Sequence, residues 1–301
     1  MTPIVLVVHG SRDPRAARAT RALVRAVAAA RPGVDVRASY LDHTLPRPGQ
    51  VLAALAADGH DRVTLVPLLL TAAYHGRVDV PDAVRAARAT LPLDVAVTDV
   101  LGPVGDEVPE LLIAGLTRRL ATACAQAGLA PAARRSAPGV AAGWTGSGSG
   151  VAAGWAGSAS GGAAAWAGSP SNVAAGSAGS AFDAVVVAAA GTRDAAARET
   201  VVRAADALGA ALGVPTTVAY ASAAPPTGAE AVAELRARGA RRIAVAGYFL
   251  APGQLYDTVT SSARAAGAIA VAEPLEDAWE IAHLVLSRAN TAPTTPQTAA
   301  A

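Results

Sequence analysis

Apolar and polar positions follow two rhythms in the first part of the chain. Val63, Leu65, Val66, Leu68, Leu69 and Leu70 form one apolar run with no polar alternation, the signature of a strand covered on both faces. Ile4–Val8 reads as a short buried strand, and Val34–Tyr40 and Leu93–Thr98 as two more. The segments between them change to helical spacing. Ala16–Ala30 places Ala19, Ala22, Leu23, Ala26 and Val27 on one face before Arg31-Pro32-Gly33 stops it. Gln50–Asp58, Pro81–Thr90 and Glu107–Ala127 have the same period. The order βαβαβαβα predicts an α/β fold with a four-stranded parallel sheet, helices on both faces and right-handed crossovers.

From about Pro131 the pattern collapses into alanine, glycine and serine. An eleven-residue repeat carries Trp144, Trp155 and Trp166, with Ser177 in the equivalent place of the fourth copy. Evenly spaced tryptophans invite a partner site, but this composition cannot bury a core and reads as a linker. Phe182 then begins a second βαβαβαβα series. Gly191-Thr192-Arg193-Asp194 answers Gly10-Ser11-Arg12-Asp13, Tyr220 answers Tyr40, and Gly247-Tyr248-Phe249-Leu250 answers Pro67-Leu68-Leu69-Leu70. The expected layout is therefore two tandem doubly wound domains, residues 1–130 and 181–290. A Gly/Ala/Ser-rich linker, 131–180, joins them, and 291–301 is expected to be a disordered tail.

Composition narrows the class. A net charge of +2 with 16% charged residues argues against a nucleic-acid surface. Every basic side chain is arginine, which together with the abundant alanine points to a genome-wide composition bias. The single cysteine, Cys124, falls in a helix and reads as a small buried hydrophobe. The start, MTPIVLVVHG, lacks a basic region, and no apolar stretch approaches the ~20 residues of a membrane span. A cytoplasmic protein with no membrane partner is expected. Since one chain holds both halves, a monomer that is its own pseudo-dimer is expected too.

The chemistry gathers at the carboxyl ends of the first three strands, where ligands bind in open α/β sheets. His9 follows strand 1, His75 lies in the loop beyond strand 3, and Asp42 and His43 follow strand 2. In a sheet of order 2-1-3-4, strands 1 and 3 are neighbours about 4.8 Å apart, so their loop imidazoles converge. Two imidazoles and one further donor leave coordination positions open on a divalent ion, as transfer or catalysis requires. Arg12, Arg47 and Arg77 sit on the same rim and suit carboxylates. Most loop histidines are plain surface residues, and His60 and His283 are read that way. In the second half His9 is replaced by Ala190, Asp42 by Ser222 and His75 by Leu255, so one active site per chain, roofed by the other half, is expected.

Leu6-Val7-Val8-His9-Gly10-Ser11-Arg12-Asp13, Val66-Pro67-Leu68-Leu69-Leu70 and His75-Gly76-Arg77-Val78-Asp79-Val80-Pro81 together resemble the CbiX/SirB sirohydrochlorin chelatases. The second half resembles the degenerate copy of two-domain members. The resemblance implies insertion of Fe²⁺ or Co²⁺ into sirohydrochlorin without ATP or an organic cofactor, towards sirohaem or cobalamin. It implies that His9 and His75 bind the metal and assist deprotonation. An acidic family position falls on Asp42, whose shorter side chain leaves His43 as the other candidate ligand. Ser11, Arg12, Arg47 and Arg77 are the candidate substrate contacts. Two rivals stand beside this reading. One is a non-catalytic metal or tetrapyrrole carrier built on the same residues. The other is an α/β-hydrolase, which would need a G-x-S-x-G elbow after a strand, and the chain has none.

Overall fold

The computed structural model describes residues 1–71, 80, 85, 89–129 and 181–292. The predicted linker, the loop carrying His75, Gly76 and Arg77, and most of the C-terminal tail lie outside them.

The first half contains β1 (Ile4–Val8), α1 (Pro14–Ala30), β2 (Val36–Tyr40), α2 (Pro48–Ala57), β3 (Arg62–Pro67), β4 (Asp94–Val97) and α3 (Glu110–Gln126). The second contains β5 (Ala184–Ala189), α4 (Ala195–Leu212), β6 (Thr216–Tyr220), α5 (Gly228–Ala237), β7 (Ile243–Gly247), α6 (Gln254–Ala265), β8 (Ala270–Val271) and α7 (Trp279–Asn290). The sheets have the orders β2-β1-β3-β4 and β6-β5-β7-β8, parallel throughout. This is the predicted doubly wound α/β fold, present twice.

Element ends follow local chemistry. α1 begins two residues before the apolar pattern predicts, because Asp13 caps it, accepting the Arg15 backbone N–H at 2.9 Å, and Pro14 takes the first turn. Asp194 caps α4 in the same way. α3 begins three residues later than the pattern predicts, since Val104 and Glu107 pair as a β-bridge and Pro109 precedes the helix.

The period-2 alternation of the strands decides which core each side chain joins. Val5, Val7, Val63 and Leu65 point to one face and pack with Val51, Leu52 and Leu55 of α2. Ala184, Val186, Ile243 and Val245 do the same with Val232 and Leu235 of α5. Ile4, Leu6 and Val66 point the other way, into a core shared with Val185 and Val187 of the second sheet.

That shared core exists because the last helices are exchanged. α3 packs on β7, β8 and α4, while α7 packs on α1 and β3. The two helices also pack on each other. Gly115 permits this approach, an added Cβ there lying 3.2 Å from Leu275 Cδ2. Glu280, 1% exposed, accepts a fork from Arg118 at 2.6 and 2.8 Å. Among the described residues no helix is long and apolar enough to cross a membrane.

Candidate active site

β1 and β2 run on as a zipped pair of loops. The Leu41 N–H donates to Val8 O at 2.9 Å and the Asp42 N–H to His9 O at 2.7 Å. Gly10, at φ +97°, lies so close that an added Cβ would be 1.9 Å from Asp42 O. Only glycine fits there. This contact brings His9 and His43 together, with ring centroids 6.2 Å apart and planes nearly perpendicular at 81°. Two imidazoles that share one ion at about 2.1 Å in tetrahedral or cis geometry have centroids roughly 4.6–5.3 Å apart, so these rings are neighbours that must close in before both can bind the same ion.

Asp42 lies beside this pair. Its carboxylate accepts the His43 backbone N–H at 2.7 Å, and His43 Nε2 is 3.4 Å from its other oxygen. The backbone bond from His43, followed by the nearby His43, Arg47 and His9 charges, holds the carboxyl below the usual carboxylate range. Arg47 turns inward. Its guanidinium donates to Leu41 O at 2.5 Å and lies 3.8 Å from Asp42, so it braces the loop and does not line the cleft. Ser11 accepts the Asp13 N–H at 3.0 Å, and Thr44 Oγ1 donates to Ser11 O, tying the two loops again. Arg12 is exposed and lines the cleft.

The cleft in front of these loops has a volume of about 720 Å³, within the range of small-molecule sites. His9, Gly10, Ser11 and His43 form one wall. The opposite wall is apolar and comes from the second half, with Ala190, Phe249, Leu250, Pro252 and Leu255. Leu255, the counterpart of His75, is 44% exposed there. Leu68, Ala190, Phe249 and Leu250 also line a second chamber of about 260 Å³ reaching Tyr220 and Tyr248. Nothing in the sequence pattern marked residues 249–256 as a wall, because their role depends on how the halves face each other.

The second half repeats the loop backbone without its donors. Gly191 has φ +88° and the same 1.9 Å approach to Ser222 O. Ala221 N–H donates to Ala189 O at 2.9 Å. Ala223, at φ 67°, stands where His43 has φ 57°. The positions of His9, Asp42 and His43 thus carry Ala190, Ser222 and Ala223 on the same loop backbone.

His60 and His283 do not line this cleft. His283 packs edge-on against Trp279, with its Nδ1 2.8 Å from Trp279 O. Burial raises the Cys124 thiol pKa, which disfavours the thiolate. Among the described residues, no three His, Cys, Asp or Glu side chains gather closely enough to hold an ion. His75 and Arg77 lie outside those residues. His9 and His43, before an apolar wall, offer borderline nitrogen donors and can accept protons from a ligand held against that wall.

Two solved structures share this fold. SirB from Bacillus subtilis with Fe³⁺ aligns with a TM-score of 0.66 at 17% identity, covering 96% of this chain and 95% of that one. The sirohydrochlorin chelatase SirB from Bacillus subtilis subspecies spizizenii, in complex with cobalt, aligns at 0.63 and 16% identity, covering 96% and 94%. No curated protein matches the chain. The CbiX family model matches residues 3–119 and again 184–292, one match for each half. The chain belongs to the CbiX family.

Proposed function

We propose that this protein is a sirohydrochlorin chelatase that inserts Fe²⁺ or Co²⁺ into the macrocycle without ATP. The observation that carries the reading is the His9–His43 pair, which faces an apolar wall supplied by the other half across one cleft. Family membership supports it. So does the fold shared with SirB structures, described as a sirohydrochlorin chelatase bound to cobalt and as bound to Fe³⁺.

Metallation exchanges two pyrrole N–H protons for one divalent ion. Neutral imidazoles, with an unperturbed pKa of about 6.5, can hold the incoming ion and take up those protons near neutral pH. In this reading His9 and His75 are the catalytic pair, His43 and Asp42 complete the metal's path, and Ser11, Arg12 and Arg77 contact the substrate. Arg47 acts through the Asp42 loop. Fixed loops on both walls would hold the macrocycle and ion in place, which is the main source of rate when no covalent step occurs.

Anaerobic incubation with sirohydrochlorin and each metal, followed by absorbance, tests the reading. His9→Ala and His75→Ala are each expected to lower the rate by about 100-fold or more. Wild-type rates in either variant would overturn the assignment. Tight binding of Co²⁺ or sirohydrochlorin without turnover would instead favour a carrier.

A further inference from the structure

Arg15 stands where the two walls of the cleft meet. Its Nε and Nη2 donate to Asp13 at 3.0 and 2.6 Å. Its Nη2 and Nη1 also reach across to Asp257 of α6, at 2.5 and 3.4 Å. Both forks of the guanidinium are therefore filled by carboxylates, one from each half. Asp13 and Gln254 line the main cleft and also the shallow depression containing Arg15 and Asp257, so the cluster borders the cleft directly. The side chains of Arg15 and Asp257 are 41% and 46% exposed, open to a solute entering from solvent.

The two carboxylates are not equivalent. Asp13 is bound to the start of α1 by its cap and cannot leave without unsatisfying that turn. Asp257 has no capping role, and among the described residues its ion pair is with Arg15 alone. An exposed pair of this kind contributes little to stability. While Asp257 is in place its carboxylate stands at this edge and opposes an approaching anion there.

We propose that the Nη1–Nη2 edge of Arg15 is a docking point for a carboxylate of the incoming ligand, and that Asp257 occupies that edge until the ligand displaces it. The inference rests on the reading above that a carboxylate-bearing tetrapyrrole enters this cleft. The exchange replaces one carboxylate by another at the same fork, so Arg15 loses no charge-assisted bond. Displaced, Asp257 turns to water, and this tie between the halves is released at the edge where the ligand enters. Arg15 is thus a positioning residue, and Asp257 sets the threshold a ligand must exceed. A ligand without peripheral carboxylates gains nothing from Arg15 and meets the closed edge.

The test compares wild type with Arg15→Gln, Asp257→Ala and the double variant. It measures KM and kcat for sirohydrochlorin with Co²⁺, and the dissociation constant by fluorescence titration without metal. Asp257→Ala is expected to lower KM and the dissociation constant about threefold with kcat unchanged, since a competing exposed ion pair is lost, together with a favourable charge in the first turn of α6 that affects stability and not binding. Arg15→Gln raises both about fivefold. The double variant matches Arg15→Gln, because Asp257 then has nothing to block. An Asp257→Ala variant with raised or unchanged KM and a lowered melting temperature would make the pair a structural clamp and overturn the proposal. An Asp257 effect that persists without Arg15 would overturn it too. If wild type binds sirohydrochlorin without metallating it, the chelatase reading fails while the dissociation constants still decide this one.

Discussion

At Gly10 and Gly191 a single hydrogen in place of a methyl group holds each strand-end loop against its neighbour. An alanine Cβ would lie 1.9 Å from a carbonyl oxygen at both positions, on a backbone with positive φ. Gly10→Ala and Gly191→Ala are each expected to cost at least about 2 kcal/mol in denaturant titration. Metal binding should fall only for Gly10→Ala, since the donors stand beside that loop alone. Asp42 gives a pH prediction with a definite sign. Its carboxyl is held below the ordinary 3.8, so the stability it contributes is fully present above that value and is lost as pH falls through the lower folded value. The melting temperatures of wild type and Asp42→Asn should therefore differ at neutral pH and converge only below about pH 3.8.

The elements were legible in the sequence wherever a local rule governs them. The apolar run from Val63 forms β3 inside its sheet, whereas the caps Asp13 and Asp194, each four residues past His9 or Ala190, start their helices and move the start of α1 ahead of the apolar pattern. What could not be read was the partner of each buried face. Helical spacing says that Leu112, Leu116 and Leu120 are covered, but not that β7 and β8, far later in the chain, cover them. The same limit hid Asp257, which lies 242 positions from Arg15. That His9 follows β1 and His43 follows β2 could be read from their own strands, while the expected meeting of His9 with His75 falls outside the described residues. At this scale the Arg118–Glu280 pair is the sharpest test. Arg118→Ala leaves a carboxylate that is 1% exposed without its partner. A loss of about 3 kcal/mol in chemical denaturation is expected, more than any exposed pair would give.

For the molecule as a whole, the exchange of α3 and α7 makes each half dependent on the other. Residues 1–129 produced alone would expose Leu112, Leu116 and Leu120 and leave the α7-facing side of β3 bare. Calorimetry of that fragment should show no cooperative transition until residues 181–292 are supplied in trans. The duplication is legible along the chain, and so is its loss of donors, yet the reason for keeping a donor-free copy is visible only in three dimensions, where residues 249–256 face His9. The crossing helices have one more outcome. An interlock closed within one chain can equally be closed between two, with α7 of one molecule seated on the first sheet of its neighbour. Refolding yield should therefore fall as protein concentration rises, through entangled oligomers that a pair of self-contained halves would never form.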